Sequence, residues 1–129
     1  MNLLLDSNVF VFIVQQPDRL PERARDAILD PANTRYLSVV TPWELQIKSS
    51  LGKLRFTTPI RDIVKQELDT GTVQLLPITL DHIDALSRLP AHHRDPFDRM
   101  LVAQAVHEGL TLVTSDEIIA KYPAPVLWE

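Results

Sequence analysis

The amino-acid sequence predicts an α/β fold with a short, mostly parallel central sheet covered by helices. Short apolar runs with strand-like composition alternate with longer stretches that carry helical signals. Strands separated by helices favour parallel pairing, because a parallel connection needs a crossover. The strand-like runs are apolar almost throughout, which indicates strands buried on both faces of the sheet.

The first half of the chain supplies two strands and three helices. Asn2–Leu5 is the first apolar run, and the polar residues after it lead into a helix-like stretch that ends near Gln15. Residues 21–29 predict a helix with a proline in its first turn. Residues 35–40 are strand-like, and residues 41–51 predict a helix that begins with Thr-Pro and stops before a glycine.

The second half repeats the alternation. Residues 59–71 predict a helix, residues 73–76 a strand and residues 79–89 a further helix. Residues 96–108 give the strongest helical signal, since a proline stands in the first turn and Gly109 follows the last.

The C-terminal part predicts a strand at residues 110–113, a short helix at 115–121 and an edge strand at 126–128, which two nearby prolines keep short. The sequence contains no repeat and no long linker. We therefore expect a single domain over residues 1–129.

Composition narrows the class of protein. The 129 residues are 45% apolar and 23% charged, which are ordinary globular values. They include no cysteine, which excludes a disulfide framework and a thiolate metal site. The longest apolar run, residues 9–14, is too short to cross a bilayer, and the N-terminus lacks the pattern of a secretory signal, so we expect a cytoplasmic protein with no membrane contact. A net charge of −4 argues against nucleic-acid binding through a broad basic surface.

Four carboxylates are candidates for a common site. Asp6 and Asp116 follow predicted strands, and Glu44 lies in the first turn of the helix after residues 35–40. Helices of such a fold run antiparallel to the strands, so these three acids should share the carboxyl edge of the sheet, where ligands of open α/β sheets bind. Asp98 opens the helix at residues 96–108, and its placement at the same edge stays open at this point.

Each acid also has an explanation in helix capping. Thr41 and Glu44 fit a capping box, Asp95 and Asp98 stand at the N-cap and third positions of a helix, and Ser115 fits a cap ahead of Asp116. Asp6 fits a cap for the helix that follows it. Capping is the commoner use of such residues, so no single acid indicates a function.

Together, the acids favour a divalent cation. Two like charges about 4 Å apart repel each other by about 4 kcal/mol at an effective dielectric constant of about 20. A converging cluster therefore needs either protons or a cation, and a set of oxygen ligands suits Mg²⁺ or Mn²⁺. Water bound to such an ion becomes a nucleophile near neutral pH, which is the chemistry of phosphodiester hydrolysis.

Four segments resemble the PIN-domain ribonucleases, and among them the VapC toxins of type II toxin–antitoxin systems. They are LLLDSNVF (residues 3–10), TPWELQIKSSLGKL (41–54), LPAHHRDPFDRMLVAQA (89–105) and LTLVTSDE (110–117). The resemblance spans essentially the whole chain, and its Trp-Glu helix and HRDPFDR stretch are the specific parts.

The resemblance implies a PIN-like α/β/α sandwich that cleaves RNA endonucleolytically with Mg²⁺ or Mn²⁺. It implies that Asp6, Glu44, Asp98 and Asp116 form the acidic catalytic and metal-binding quartet. It also implies a homodimer and an antitoxin protein whose C-terminal arm covers the acidic pocket.

Several neighbours of the acids are candidates for supporting roles. Asn8, Thr114 and Ser115 are expected to hydrogen-bond the carboxylates or to serve turns and caps. Asp95 is expected to cap the helix or to support the site, and Arg94 and Arg99 to balance the acids or to meet RNA phosphates.

Other polar and aromatic residues receive ordinary structural interpretations. His92 and His93 are assigned to an exposed loop, His82 and His107 to surface or core positions, Lys48 and Lys53 to a solvated helix face and Trp43 to packing.

Two other functions remain open from the sequence. The protein could act mainly as a binding module held by its antitoxin, or as a phosphatase-like α/β domain with an acidic Mg²⁺ pocket. The Asp6-Ser7-Asn8 stretch lacks the second aspartate of Asp-x-Asp phosphatases, which argues against the last.

Overall fold

Five parallel strands form the central sheet in the order β3-β2-β1-β4-β5. The strands are β1 (Asn2–Leu5), β2 (Thr34–Ser38), β3 (Gln74–Leu76), β4 (Thr111–Val113) and β5 (Val126–Leu127). The predicted α/β class is confirmed, with a sheet that is parallel throughout. This computed structural model describes residues 1–93 and 95–129; Arg94, which was expected to balance the acids, lies outside the described residues.

In the described part of the chain, six α-helices connect and cover the strands. They are α1 (Ser7–Gln15), α2 (Glu22–Leu29), α3 (Val40–Ser50), α4 (Ile60–Asp69), α5 (Leu80–Leu86) and α6 (Pro96–Glu108), with 3₁₀ turns at Pro17–Arg19 and Ile119–Lys121. Helix α6 ends at Gly109, whose φ of 69° is the left-handed conformation that favours glycine. None of the helices in the described part of the chain has the length and apolar character that spanning a bilayer requires.

Several predicted boundaries are wrong. The strand predicted at residues 35–40 ends at Ser38, and α3 begins at Val40 rather than at Thr41. The helix predicted at residues 115–121 is only the 3₁₀ turn at 119–121. Asp116 caps this turn, since its Oδ1 accepts the N–H groups of Ile118 and Ile119. The turn ends at Tyr122, which is extended because Pro123 follows it.

The sheet buries side chains on both faces. Along β1, Leu3 and Leu5 pack into the layer formed with α1 and α2, whereas Leu4 packs on the opposite side with residues of α6. All three leucines are fully buried. Two apolar layers therefore fix the central strand, and with it the position of the residue that follows the strand.

Candidate active site

Asp6 lies at the centre of the carboxyl edge, directly after the middle strand. One of its oxygens, Oδ1, accepts the backbone N–H of Ser7 at 2.7 Å, and the other accepts the hydroxyl of Thr114 at 2.7 Å. The side chain thus caps α1 and is tied to the end of β4. The predicted hydrogen bond from Thr114 to a candidate carboxylate is confirmed.

The environment of Asp6 disfavours its charge. Burial raises the pKa of this carboxyl, the hydrogen bonds from Thr114 and Ser7 oppose the rise, and the charges of Glu44 and Asp116 add to it; the net pKa is raised. A buried acid with other carboxylates close by is the electrostatic situation in which a cation is stabilising.

Glu44 is buried against α1 and is held at both oxygens. Its Oε1 accepts the Ser7 hydroxyl at 3.0 Å, and Lys48 Nζ lies 2.7 Å from Oε2. The predicted capping box is wrong: α3 starts one residue earlier, and the Thr41 hydroxyl contacts the Ser7 hydroxyl at 3.0 Å instead of capping a helix.

The assignment of Lys48 to a solvated helix face is also wrong. Its side chain is one-third exposed and its ammonium group is paired with buried Glu44. Burial lowers the pKa of Lys48. The hydrogen bond and charge of Glu44, together with the charges of Asp98 and Asp95, raise the pKa by more than burial lowers it, so the net pKa is raised. Lys48 therefore brings a positive charge into the acidic cluster.

Asp98 and Asp116 meet around the imidazole ring of His93. The Nε2 atom of His93 lies 3.0 Å from Asp98 Oδ2 and 3.1 Å from Asp116 Oδ2. One potential ligand atom from each of the three residues lies within 4.8 Å of the others. Asp98 is thus at the same edge as the other acids, and the placement of His93 in an exposed loop is wrong, because its side chain is only 15% exposed.

The two aspartates differ in their electrostatics. Burial, followed by the charges of Asp6 and Asp95, raises the pKa of Asp98 to about 7, although the nearby ring of His93 lowers it in part. Burial also raises the pKa of Asp116, but hydrogen bonds from His93 and from the N–H groups of Ile118 and Ile119 outweigh it, and the net pKa is lowered.

Of the remaining predicted residues, one supports the helix that carries Asp98 and two are exposed to solvent. Asp95 is the N-cap of α6, where its Oδ1 accepts the N–H groups of Phe97 at 2.8 Å and Asp98 at 3.4 Å. Asn8 and Ser115 are exposed. Within the described residues, neither of their side chains has a recorded hydrogen bond to a carboxylate.

Arg99 serves the loop that carries His93. Its guanidinium donates to the carbonyls of Leu86 and Pro90 and to the hydroxyl of Tyr122, at 3.0–3.3 Å. That hydroxyl also accepts the backbone N–H of His93 at 2.7 Å. The loop is therefore fixed to the core through Tyr122, which is 4% exposed.

Sequence reasoning missed Ser7, Lys48 and His93. His93 had a usable signal, since it stands two residues before the N-cap of the helix that presents Asp98. The signal was overlooked because the two adjacent histidines were interpreted together. His93 contacts the acids, whereas His92 is exposed and its ring packs edge-on against Tyr122.

Taken together, the sheet and its acidic edge define an α/β protein that carries a group of potential metal ligands, His93, Asp98 and Asp116, at that edge. The four acids come from four separate segments, and the donor set is predominantly oxygen. Comparison with known proteins identifies the family. The chain belongs to the PIN domain family, whose family model matches residues 3–125.

Related proteins match this chain over nearly its whole length. Ribonuclease VapC22 of Mycobacterium tuberculosis is 29% identical over 128 residues, which is 96% of this chain and 95% of that protein. A chain of VapBC2 from Rickettsia felis, bound to a DNA fragment from its promoter, superimposes with a TM-score of 0.73 at 17% identity and full coverage of both chains. A chain of DNA-bound VapBC from Salmonella typhimurium gives a TM-score of 0.71 at 19% identity, covering 98% of this chain and 97% of that one.

The raised pKa of Asp98 predicts that the metal-free protein loses stability as pH rises. A carboxyl whose folded-state pKa lies above its unfolded value stabilises the fold at low pH and loses that contribution as pH rises through the folded value. Between pH 5 and pH 8 we expect the free energy of unfolding in EDTA to fall by about 2–3 kcal/mol. Urea denaturation at several pH values measures it.

The matched variant for this test is Asp98→Asn. It should remove the part of the pH dependence that Asp98 contributes and be more stable than the parent protein at pH 8, while Asp6, whose pKa is also raised, contributes in the same direction in both proteins. Asp116, whose pKa is lowered, acts only below its unfolded value, near pH 4, and so leaves the window unaffected. Equal pH dependence of the two proteins would contradict the role of Asp98.

A second prediction concerns the Glu44–Lys48 pair. We expect Lys48→Met to lower the free energy of unfolding by about 1–3 kcal/mol, because it leaves buried Glu44 without its counter-charge. Lys65→Met is the control, since Lys65 forms the same i,i+4 pair with Asp69 but both side chains are about two-thirds exposed. Its loss should cost less than about 0.5 kcal/mol. Similar losses from both variants, measured in EDTA, would refute the distinction.

Proposed function

We propose that this protein is an endoribonuclease that depends on Mg²⁺ or Mn²⁺ and acts as the toxin of a type II toxin–antitoxin pair. The observation that carries the proposal is the continuous network joining the four acids: Thr114 links Asp6 to the Asp116 segment, His93 bridges Asp116 and Asp98, and Ser7 contacts both Asp6 and Glu44. A PIN-family chain with this cluster intact has the groups that phosphodiester hydrolysis needs. The ribonuclease name of the relative from M. tuberculosis supports the same reaction.

Asp6, Asp98 and Asp116 would hold the cation, with Glu44 beside them. Their oxygens suit a hard divalent ion, and the raised pKa of Asp98 means that a cation would displace a proton there near neutral pH. When bound, the ion supplies an acidified water and stabilises charge on the phosphate oxygens.

Other side chains would position the attacking water and the RNA. Glu44, fixed by Ser7 and Lys48, orients the attacking water and accepts its proton. The water oxygen would form a bond to phosphorus as the bond from phosphorus to the 3′ oxygen breaks. The leaving 3′ oxygen would take a proton from solvent water, which gives a 5′-phosphate and a 3′-hydroxyl. Exposed Asn8 and Ser115 lie beside Asp6 and Asp116 in the chain, where they are free to contact the RNA strand.

We further propose that the free protein is a homodimer and that an antitoxin binds it. Binding of an antitoxin is also what the alternative function, a binding module held by its antitoxin, would require. The structural relatives named VapBC favour this partner. An apolar groove of about 580 Å³ between α3, α4 and the edge strand β3 is a candidate surface for it. Leu75 lies there with 43% of its surface exposed, and Arg61 and Lys65 at the rim favour a helix with an acidic flank.

The reaction is tested with RNA and three proteins. The parent protein should cleave RNA in Mg²⁺, lose cleavage in EDTA and regain it with added Mg²⁺. Asp6→Asn and Asp98→Asn should each lower the rate by at least about 100-fold, because each removes a charge that holds the cation. Mapping the cleaved ends in total RNA after induced expression, with Asp98→Asn as control, identifies the substrate.

Unchanged rates in both variants, or cleavage that persists in EDTA, would refute the assignment of these acids. Products that end in a 2′,3′-cyclic phosphate would refute attack by water, because that end arises from attack by the RNA's own 2′-hydroxyl.

The partner is tested by co-expression with a small neighbouring reading frame that encodes a DNA-binding N-terminus. We expect the two proteins to co-purify and the complex to lose RNA cleavage. Leu75→Glu should abolish co-purification, since it places a charge in the apolar groove. Leu80→Glu, at a leucine that is 82% exposed on α5 outside the groove, should leave the complex intact.

Light scattering of the free proteins separates the two uses of the groove. If Leu75→Glu changes the mass of the free protein but leaves the antitoxin bound, the groove is a contact between copies and its assignment to the antitoxin is wrong.

A further inference from the structure

His93 stands between two of the proposed metal-holding carboxylates, yet its hydrogen bonds identify it as a donor. The Nε2 atom is 3.0 Å from Asp98 Oδ2 and 3.1 Å from Asp116 Oδ2. On the other side of the ring, Nδ1 accepts the backbone N–H of Asp95 at 3.1 Å. A neutral imidazole has one donor and one acceptor nitrogen, so the proton lies on Nε2 and points at the two aspartates.

This tautomer is unsuited to binding a metal through Nε2. Coordination would need a lone pair on Nε2 and would move the proton to Nδ1, where it would face the N–H of Asp95. Such a change would break the hydrogen bond from the Asp95 N–H to Nδ1 and would place the Nδ1–H against that N–H, so that two donors face each other. Histidines that bind metals instead use their second nitrogen to donate to a carbonyl, carboxylate or water.

The ring is held independently of the two carboxylates. The backbone N–H of His93 donates to Tyr122, whose hydroxyl also accepts from Arg99, and the Asp95 N–H fixes Nδ1 from the opposite side. The Nε2–H bond therefore keeps its direction when Asp98 and Asp116 turn their oxygens to another partner.

We propose that His93 is a positioning residue that holds Asp98 and Asp116 toward each other in the metal-free protein, and that its Nε2–H donates to a phosphate oxygen of the RNA once those carboxylates bind the cation. This inference rests on the proposed function. In both roles Nε2–H acts only as a hydrogen-bond donor and transfers no proton. The same hydrogen thus stabilises the acids before the cation arrives and the phosphate afterwards.

Nitrogen NMR tests the donor assignment without any cleavage. In ¹⁵N-labelled protein, long-range ¹H–¹⁵N spectra distinguish a protonated ring nitrogen from one with a lone pair. We expect His93 Nε2 to be protonated and Nδ1 unprotonated, both without metal and with saturating Mg²⁺. A proton that moves to Nδ1 when Mg²⁺ is added would make His93 a ligand and would overturn the proposal.

Kinetics and metal titration test the second half. His93→Phe keeps a ring but lacks the donor, and we expect it to bind Mn²⁺ within about twofold of the parent protein while kcat/KM for RNA falls about 10-fold to 100-fold, as for a lost hydrogen bond to a charged group. His93→Gln should recover at least about fivefold of that loss, because its side-chain N–H reaches a similar position. His92→Phe is the matched control and should leave kcat/KM unchanged.

The contradicting outcomes are separate from failure of the nuclease. Mn²⁺ affinity that falls more than about 10-fold in His93→Phe, or a kcat/KM equal to that of the parent protein, would overturn the proposal for His93. If the parent protein cleaves no RNA, the proposed function fails, whereas the NMR spectra and the Mn²⁺ titration still decide whether His93 is a donor or a ligand.

Discussion

Repulsion among carboxylates at the carboxyl edge of the sheet is the constraint on which the site depends. The fold brings four acids from separate segments together, and each is contacted by compensating groups. Asp6 relies on a threonine hydroxyl and a backbone N–H, Glu44 on a serine hydroxyl and Lys48, and Asp116 on backbone N–H groups and His93. Asp98 shares His93 with Asp116, and burial together with the charges of Asp6 and Asp95 raises its pKa to about 7.

The sheet can hold the acids close together because its central strand, β1, is fixed by packing on both faces. Leucines of β1 are fully buried in both apolar layers, and the neighbours β2 and β4 are hydrogen-bonded on either side. The layers provide hydrophobic free energy of about 25 cal/mol per Å² of apolar surface buried, which offsets the electrostatic cost at one edge. The repulsion among the acids is found at the ends of the strands, where the side chains no longer contribute to the apolar core.

The sequence allowed the fold class and the sites of most helices and strands to be predicted, because apolar runs, prolines and Gly109 are local signals. Asp98 was left open from the residues alone, yet topology decides it: α6 ends where β4 begins, so α6 must start at the opposite, carboxyl edge. The error at Thr41 has a different origin. A capping box was read from residue types, but the hydroxyl is used across the fold by Ser7, and contacts 34 residues apart leave no local pattern. The contact of His93 with Asp116 is non-local in the same way.

The net charge of −4 and the proposed RNA substrate are reconciled by the order of binding. A phosphate that approached the cluster before a cation would meet up to four negative charges. Among the described side chains, Lys48 pairs its positive charge with Glu44, and His93 supplies a hydrogen-bond donor to Asp98. A divalent ion on Asp98 and Asp116 would cancel their charge and release the Nε2–H of His93 toward the strand. Under the proposed function the pocket therefore attracts RNA only after it holds a cation, so that an acidic protein can select a polyanion without a broad basic surface.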